Sequence, residues 1–347
     1  MRKLKDVGVL GCWGVGVLVA IGMAVGLVGC GSVGFRTNDG MVWNTTYHIV
    51  YEGEDDMRDS IMAILREVEN SVSFFNDSSI VSKVNRHKEF EVDGHFRKVY
   101  EMSREIYTKT NGMFDPSLGP LIEAWGFGKG HEPTADTLRI DSLLAMVGID
   151  KTRLNGNSLI KENENTRFNF SALAKGYGVD CVAEMFMRNG IENFLIEIGG
   201  EIRCLGHNSR NQDWTISIDS PSEGDMNLLH VSITEIRLRA GAVATSGNYR
   251  NYHETASGRY GHTISPESGR PIKTNVLSAT VIAETAMLAD ALATSCMAMG
   301  SEGAFSLCDE MNCAAMLVLD DLSVVTNEKF KSFLIGQTSE PGRGDQN

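Results

Sequence analysis

Phe194–Gly206, FLIEIGGEIRCLG, marks a change in the texture of the chain. Two short apolar, β-branched runs, Phe194–Ile198 and Ile202–Leu205, flank Gly199-Gly200, which reads as a backbone turn or a strand end. The same short-strand texture continues at the alternating Trp214–Ile218, at Leu228–Ile233 and at Val276–Ile282. It resumes at Ala315–Leu319 and in a closing strand near Phe330–Ile335. Upstream the pattern is mostly helical. After a first strand at Thr45–Tyr51, Met57, Ile61, Ile64, Leu65 and Val68 recur at three and four within 56–68. A second helix places Phe96, Val99, Tyr100, Ser103, Ile106 and Tyr107 on one face and ends at Asn111-Gly112. A long helix covers Thr285–Met299. Runs of helix and runs of strand, without steady βα alternation, indicate an α+β fold in place of a doubly wound sheet.

Chemistry concentrates in Asn169–Asp180, NFSALAKGYGVD. Asn169 or Ser171 is placed to cap a helix opening at Ala172, leaving free N–H groups where an anion can sit, and Lys175 adds a positive charge one turn later. Asp290 and Thr294 stand four apart on the long helix, so carboxylate and hydroxyl share a face. Such a pair suits a hard cation that shares itself with substrate phosphates.

The N-terminus carries a different signal. Arg2, Lys3 and Lys5 precede an uncharged apolar run, Val7–Gly29, and then Cys30. This is the pattern of a lipoprotein signal peptide, residues 1–29, cleaved and acylated at Cys30, with an uncleaved anchor as the alternative. Either way the protein is exported and tethered to a bacterial membrane, facing the periplasm or exterior. Residues 30–40 form a tether whose flexible end reaches into Asn38–Asn44, residues 41–336 the functional domain, and residues 337–347 a polar tail.

The chain has 347 residues and a net charge of −13, and removing residues 1–29 makes it more acidic still. No basic nucleic-acid footprint exists. Lys175, Arg250 and Arg270, inside motifs, therefore stand out as cations for a phosphate-bearing ligand. Of seven cysteines, five remain once Cys12 is discarded and Cys30 lipidated, and that odd number speaks against a disulfide framework. Cys308 and Cys313 do not have zinc-knuckle spacing. Ser158–Lys161 matches SxxK but lacks the partner motifs, and no Walker A loop, HExxH or GxSxG is present.

Taken in order, TNGMFDPSLGPLIEAWGFG (110–128), NFSALAKGYGVD, FLIEIGGEIRCLG, TSGNYRNY with GHTISPESGRPI (245–252 and 261–272) and AETAMLADALATSCMAMG (283–300) resemble the ApbE family of FAD:protein FMN transferases. The resemblance runs from about Met41 to Gly336. It implies a compact two-lobed, T-fold-like α+β unit with mixed sheets, flanking helices and the ligand site between lobes. It implies Mg²⁺ on Asp290, Thr294 and the backbone carbonyl of Ala172. FAD would be walled by Met41 and Phe75, lined by Met113, Phe114 and Asp115, contacted by Asn169, met at its phosphates by Lys175 and packed by Ile264. His262 is the candidate to take the proton of an acceptor hydroxyl.

The implied reaction moves FMN from FAD to a threonine of a partner protein, with a membrane electron-transfer subunit as the expected acceptor, and releases AMP. FAD pyrophosphatase activity at the same site and non-catalytic flavin binding are the alternatives. Asn169, Ala293 and Ser265 stand where the family often has carboxylates, and Val42-Trp43-Asn44 follows Met41 where it usually has Gly-Thr.

Overall fold

The structure is a computed structural model. It describes residues 34–127, 137–220, 232–247, 252–255, 258–261 and 263–335, with backbone alone for 137–138, 252–255 and 258–261. The signal segment with Cys30, Arg250, His262 and the polar tail lie outside the described residues, as does the start of the strand expected at Leu228–Ile233.

Eight strands form the main sheet: β1 (Phe35–Val42), β2 (Thr45–Glu52), β3 (Phe194–Ile198), β4 (Glu201–Leu205), β5 (Ala240–Gly247), β6 (Val276–Ala283), β7 (Ala314–Leu319) and β8 (Val324–Thr326). Their spatial order is their chain order, and each neighbouring pair is antiparallel. The sheet is thus a meander into which other segments are inserted. Four long helices matter for the site: α1 (Arg58–Val72), α2 (Gly94–Lys109), α3 (Ala174–Arg188) and α4 (Ala286–Glu310). The first two lie in the insertion between β2 and β3, α3 leads into β3, and α4 joins β6 to β7.

Both faces of the sheet are covered, which explains why β6 and β7, VLSATVIA and AAMLVL, read as nearly unbroken apolar runs. On one face Ile49, Tyr51, Phe194, Ile196, Ile198, Ala244, Ala279, Val281, Ala315 and Leu317 meet α3 and α4. On the other, Val243, Ile282, Ala314 and Met316 meet the hairpin Trp214–Asp219/Ser232–Leu238 and Phe330. The small side chains of β5 and β6 let α4 lie close. Helix α3 is buried on all sides, from Gly176 through Ala183 and at Met185 and Phe186, because α1 packs on the side away from the sheet. Phe186 sits between Tyr51 and Phe194, with ring centroids 4.9 and 5.6 Å away. Each such buried aromatic contributes about 1.5–3 kcal/mol of transfer free energy.

Two sequence expectations are corrected. Asn38–Val42 is not tether: it belongs to β1, paired with β2 through a two-residue turn whose central residues, Trp43 and Asn44, both have positive φ (51° and 61°). Its residues alternate polar and apolar poorly because much of this edge strand is exposed. The closing strand near Phe330–Ile335 is instead a short helix, Glu328–Lys331, capped by the Asn327 side chain on Phe330 N–H (3.2 Å). Only a single bridge, Leu334 to Ile236, follows it.

Candidate active site

The hairpin β3–β4 sets the geometry. Gly199 and Gly200 form the turn, so Ile198 pairs with Glu201 and Ile196 with Arg203. Paired residues share a face, and Ile198 and Ile196 point into the core against α3. Glu201 and Arg203 are therefore driven inward too, and each needs a buried partner. Helix α3 supplies both. Lys175 Nζ lies 2.5 Å from Glu201 Oε2, and Asp180 Oδ1 accepts from Arg203 at 2.7 Å.

Helix α4 closes the arrangement. Asp180 also accepts from the N–H groups of Ala286 (2.9 Å) and Met287 (2.8 Å), the first amides of α4, while Thr285 Oγ1 accepts from Leu288. In return Asp290 Oδ2 accepts from Gly176 N–H at 3.1 Å, in the first turn of α3. Each helix thus satisfies orphan N–H groups of the other. The approach is so close that a Cβ on Gly176 would lie 2.2 Å from the carbonyl oxygen of Ala286.

Electrostatically the set is unbalanced. Lys175 faces two buried carboxylates, Glu201 and Asp290. Burial, then the charge of Glu201, pushes the Asp290 carboxyl well above its ordinary range, with Lys175 acting against them. Burial raises Glu201 too, opposed by Lys175. Burial pulls the Lys175 ammonium down, but Glu201 and Asp290 together outweigh it and hold it above its ordinary value. One cation and two acids leave a buried negative charge in excess. A proton on Asp290 removes it, and so does a bound cation.

The three groups expected to hold a cation, the Asp290 carboxylate, the Thr294 hydroxyl and the Ala172 carbonyl, all offer oxygen, the donor a hard cation takes. One helical turn on, Thr294 Oγ1 lies 3.2 Å from Ser246 Oγ at the end of β5. Ala172 sits in the turn that leads into α3. Among the described residues no group of three or more His, Cys, Asp or Glu side chains is arranged as a metal centre. A site with one carboxylate, a hydroxyl and a main-chain carbonyl would not produce one.

The loop before α3 does not cap the helix as the sequence suggested. Neither Asn169 nor Ser171 caps α3, whose N-cap is Leu173 with no side-chain cap. Asn169 Oδ1 instead accepts from Ser171 N–H (3.0 Å) and Oγ–H (2.6 Å), folding the approach to α3, and its own N–H donates to Pro116 O at 2.7 Å. That last bond ties it to the loop of Met113, Phe114 and Asp115. Phe114 is buried, Met113 half-buried. The Asp115 carboxylate is turned inward, accepting from Ser117 N–H and Oγ–H (2.8 and 2.6 Å) and Ile149 N–H (3.2 Å). Burial raises it despite these bonds.

Ile264 is buried in a separate cluster with Leu118, Leu121, Ile140 and Val147. Its loop is held by Trp125 Nε1–H on Gly269 O (2.8 Å) and by Ser265 Oγ, which accepts from Glu267 and Ser268 N–H (both 3.2 Å). Serine here does the capping an aspartate could do. Met41 and Phe75 are exposed, at 71% and 60%, and the Phe75 ring meets Phe74 edge-on at 5.8 Å.

Three residues escaped the sequence reading. Glu201 and Asp180 were hidden by missing knowledge of who faces whom, though the two-glycine turn fixes Glu201 inward. Trp43, from the β1–β2 turn, lies over α3: a Cβ on Gly178 would meet its ring at 2.2 Å. Its Nε1–H is buried with no hydrogen-bond partner, a donor left for something else to satisfy.

Against this geometry, the model of the ApbE family matches residues 43–317. The chain belongs to the ApbE family. An FAD:protein FMN transferase of Vibrio cholerae is 34% identical over 334 residues, covering 91% of this chain and 98% of that protein. The solved flavin transferase ApbE from Vibrio cholerae superposes with a TM-score of 0.79 at 32% identity, over 87% of this chain and 99% of that one. The apo form of the Pseudomonas stutzeri flavinyl transferase ApbE gives 0.78 at 26% identity, over 87% and 97%. The α+β architecture is thus that of the solved family members. The family match opens at Trp43, two residues after Met41.

Proposed function

We propose that this protein is an FAD:protein FMN transferase, which joins the FMN half of FAD to a threonine of a partner protein through a phosphoester and releases AMP. The observation that carries this reading is the placement of two buried acids, Glu201 and Asp290, around the single ammonium of Lys175 at the first turn of α3. Together with family membership, it supports a divalent cation and a pyrophosphate at that turn. Mg²⁺, when bound there, would neutralise charge on the pyrophosphate as the phosphorus–oxygen bond breaks.

The chain's own residues do the positioning. Asp290, Thr294 and the Ala172 carbonyl would hold the cation. Lys175, kept protonated by its carboxylate neighbours, offers one ammonium to phosphate. Exposed Met41 and Phe75 offer apolar surface to the rings, and the buried, unpartnered indole N–H of Trp43 is a spare donor beside α3. His262 receives the acceptor hydroxyl's proton in this scheme. The protein acts outside the cytoplasm, anchored through lipid on Cys30, and its acceptor is a membrane electron-transfer subunit.

The test is AMP release from FAD with Mg²⁺, with and without an acceptor protein, read beside in-gel flavin fluorescence. Acceptor-dependent AMP release with covalent flavin is expected. Equal release without acceptor would make the protein a pyrophosphatase, and no release would leave it a flavin binder.

A further inference from the structure

Helix α4 is bent back on itself. Gly300, at φ 71° and ψ 174°, interrupts it between residues 299 and 301. The corner is held from β6's approach, where Asn275 Oδ1 accepts from Ser301 N–H (3.2 Å) and Asn275 Nδ2–H donates to Ser301 Oγ (2.9 Å). In an unbroken helix, residues 296 and 308 would lie about 18 Å apart along the axis. Here the sulfurs of Cys296 and Cys308 are 3.6 Å apart, and both side chains are fully buried. Cys313 is also buried, but its thiol is turned to the backbone, donating to Met311 O at 3.4 Å. The corner therefore selects one pair out of three neighbouring thiols. Counting cysteines could not find it, because an odd total says nothing about which two a kink brings together.

We propose that Cys296 and Cys308 form a disulfide that staples the two halves of α4 across Gly300. A thiolate of the pair attacks the sulfur–sulfur bond of a disulfide-bearing oxidant, giving a mixed disulfide and one released thiol. The second thiolate then attacks the protein sulfur of that mixed disulfide and expels the other thiol. The protein loses two hydrogens, and the oxidant gains both as two thiols. Sulfurs already in van der Waals contact lie within about 2 Å of the bonding distance of about 2 Å.

The reaction belongs to folding, before the corner closes. Once folded, the pair is sealed from solvent. The hydrogen bond to Cys308, then burial, holds the Cys296 thiol far above its ordinary value, leaving almost no thiolate to react.

The test refolds the reduced, denatured full chain in a buffer of oxidised and reduced glutathione. Free thiols are then alkylated in denaturant, and the digested protein is read by mass spectrometry. The expected product is a peptide pair linked through Cys296 and Cys308, lighter by two hydrogens and split by reductant. It should be present in wild type and in Cys313→Ser and absent from Cys296→Ala. Adding the same buffer to folded, reduced protein should give that link far more slowly. Full alkylation of Cys296 and Cys308 after refolding, or linkage through Cys313 instead, would overturn the proposal. Equal rates for folded and refolding protein would overturn its timing. If Cys296→Ala fails to fold, wild type against Cys313→Ser still decides which pair is linked.

Discussion

Two buried ion pairs join the same helix to the same strand, and they are opposites in more than polarity. Arg203 and Asp180 form a closed set: the carboxylate meets one guanidinium and two amides, and its charge is matched. Lys175 and Glu201 form an open one, because Asp290 brings a second acid to the same ammonium and no second cation. Lys175 also keeps more than a third of its side chain exposed, against a sixth for Arg203. A satisfied buried pair holds a fold together, whereas an unsatisfied one is poised to bind. On that distinction we propose Asp180 as a residue of architecture and Asp290 as a residue of chemistry, although both meet a helix N-terminus and both accept main-chain hydrogen bonds.

The strongest way to break this contrast is Asp290→Ala. Flavin transfer to an acceptor protein should fall by more than the roughly 100-fold that losing an outer-shell partner costs a metal site. The urea midpoint should fall only modestly, because the loss of the Gly176 amide's acceptor is offset by removal of a buried acid. Transfer measured against Mg²⁺ concentration checks the first part and denaturation the second. Wild-type turnover in this variant would end the assignment of Asp290 to the reaction.

Asp180→Ala should behave in the reverse order. It strands the Arg203 guanidinium and the two amides of α4, a loss of about 3–5 kcal/mol for a broken buried pair. Its urea midpoint should therefore drop sharply, and activity should fall with the folded fraction. Should Asp180→Ala instead stay fully stable and lose only turnover, the roles of the two acids would have to be exchanged.

These roles were only half legible in the sequence. Asp290 and Thr294 could be paired because helical spacing is local, and α1, α2, β2 and β3 could be placed because their apolar periods are clear. Glu201 could not be matched to Lys175, since the pairing depends on which face of β4 meets α3, a contact 26 residues apart in the chain. Asn169 misled for a physical reason: an asparagine before a helix can cap it or fold its own loop, and the competing hydrogen bond to Ser171 won. The β1 strand was missed because an exposed edge strand lacks the apolar alternation that announces a half-buried one.

Glycine spacing in KGYG offers a smaller perturbation on the same helix. In Gly176→Ala the new Cβ would collide with the main chain of α4, at 2.2 Å from Ala286 O, and forcing the helices apart should cost about 1–3 kcal/mol and draw Asp290 from the Gly176 amide. In Gly178→Ala the Cβ meets only the Trp43 ring, a side chain at a hairpin tip that can swing away. Thermal melts of the two variants should rank Gly176→Ala as the more damaging. The reverse ranking would show that the indole, not the helix crossing, is the tighter constraint.

The subtlest test sets Lys175 against a fully buried lysine. Lys161 is almost wholly enclosed, yet its ammonium has only main-chain acceptors, Glu164 O and Thr166 O, both at 2.9 Å. Burial, then the charge of Arg167, pulls it down to about 8, with Glu164 working the other way. Between that value and the 10.5 of a free lysine, the unfolded chain binds more protons at this site than the folded one, so its contribution to stability rises with pH across that window. The ceiling is about 3 kcal/mol at 1.36 kcal/mol per pH unit. Lys175 has the opposite sign. Its folded value lies above 10.5, so its contribution is complete below that pH and is lost as pH climbs through the raised value. Urea midpoints of wild type and Lys161→Met should therefore diverge between pH 8 and pH 10, with wild type gaining on the variant as pH rises. The slope is the readout, because the variant also leaves two carbonyls without their donor and shifts the midpoint at every pH. Parallel slopes would mean that carbonyl oxygens alone hold a buried ammonium as well as carboxylates do, and the line between a matched charge and an unmatched one would lose its physical basis.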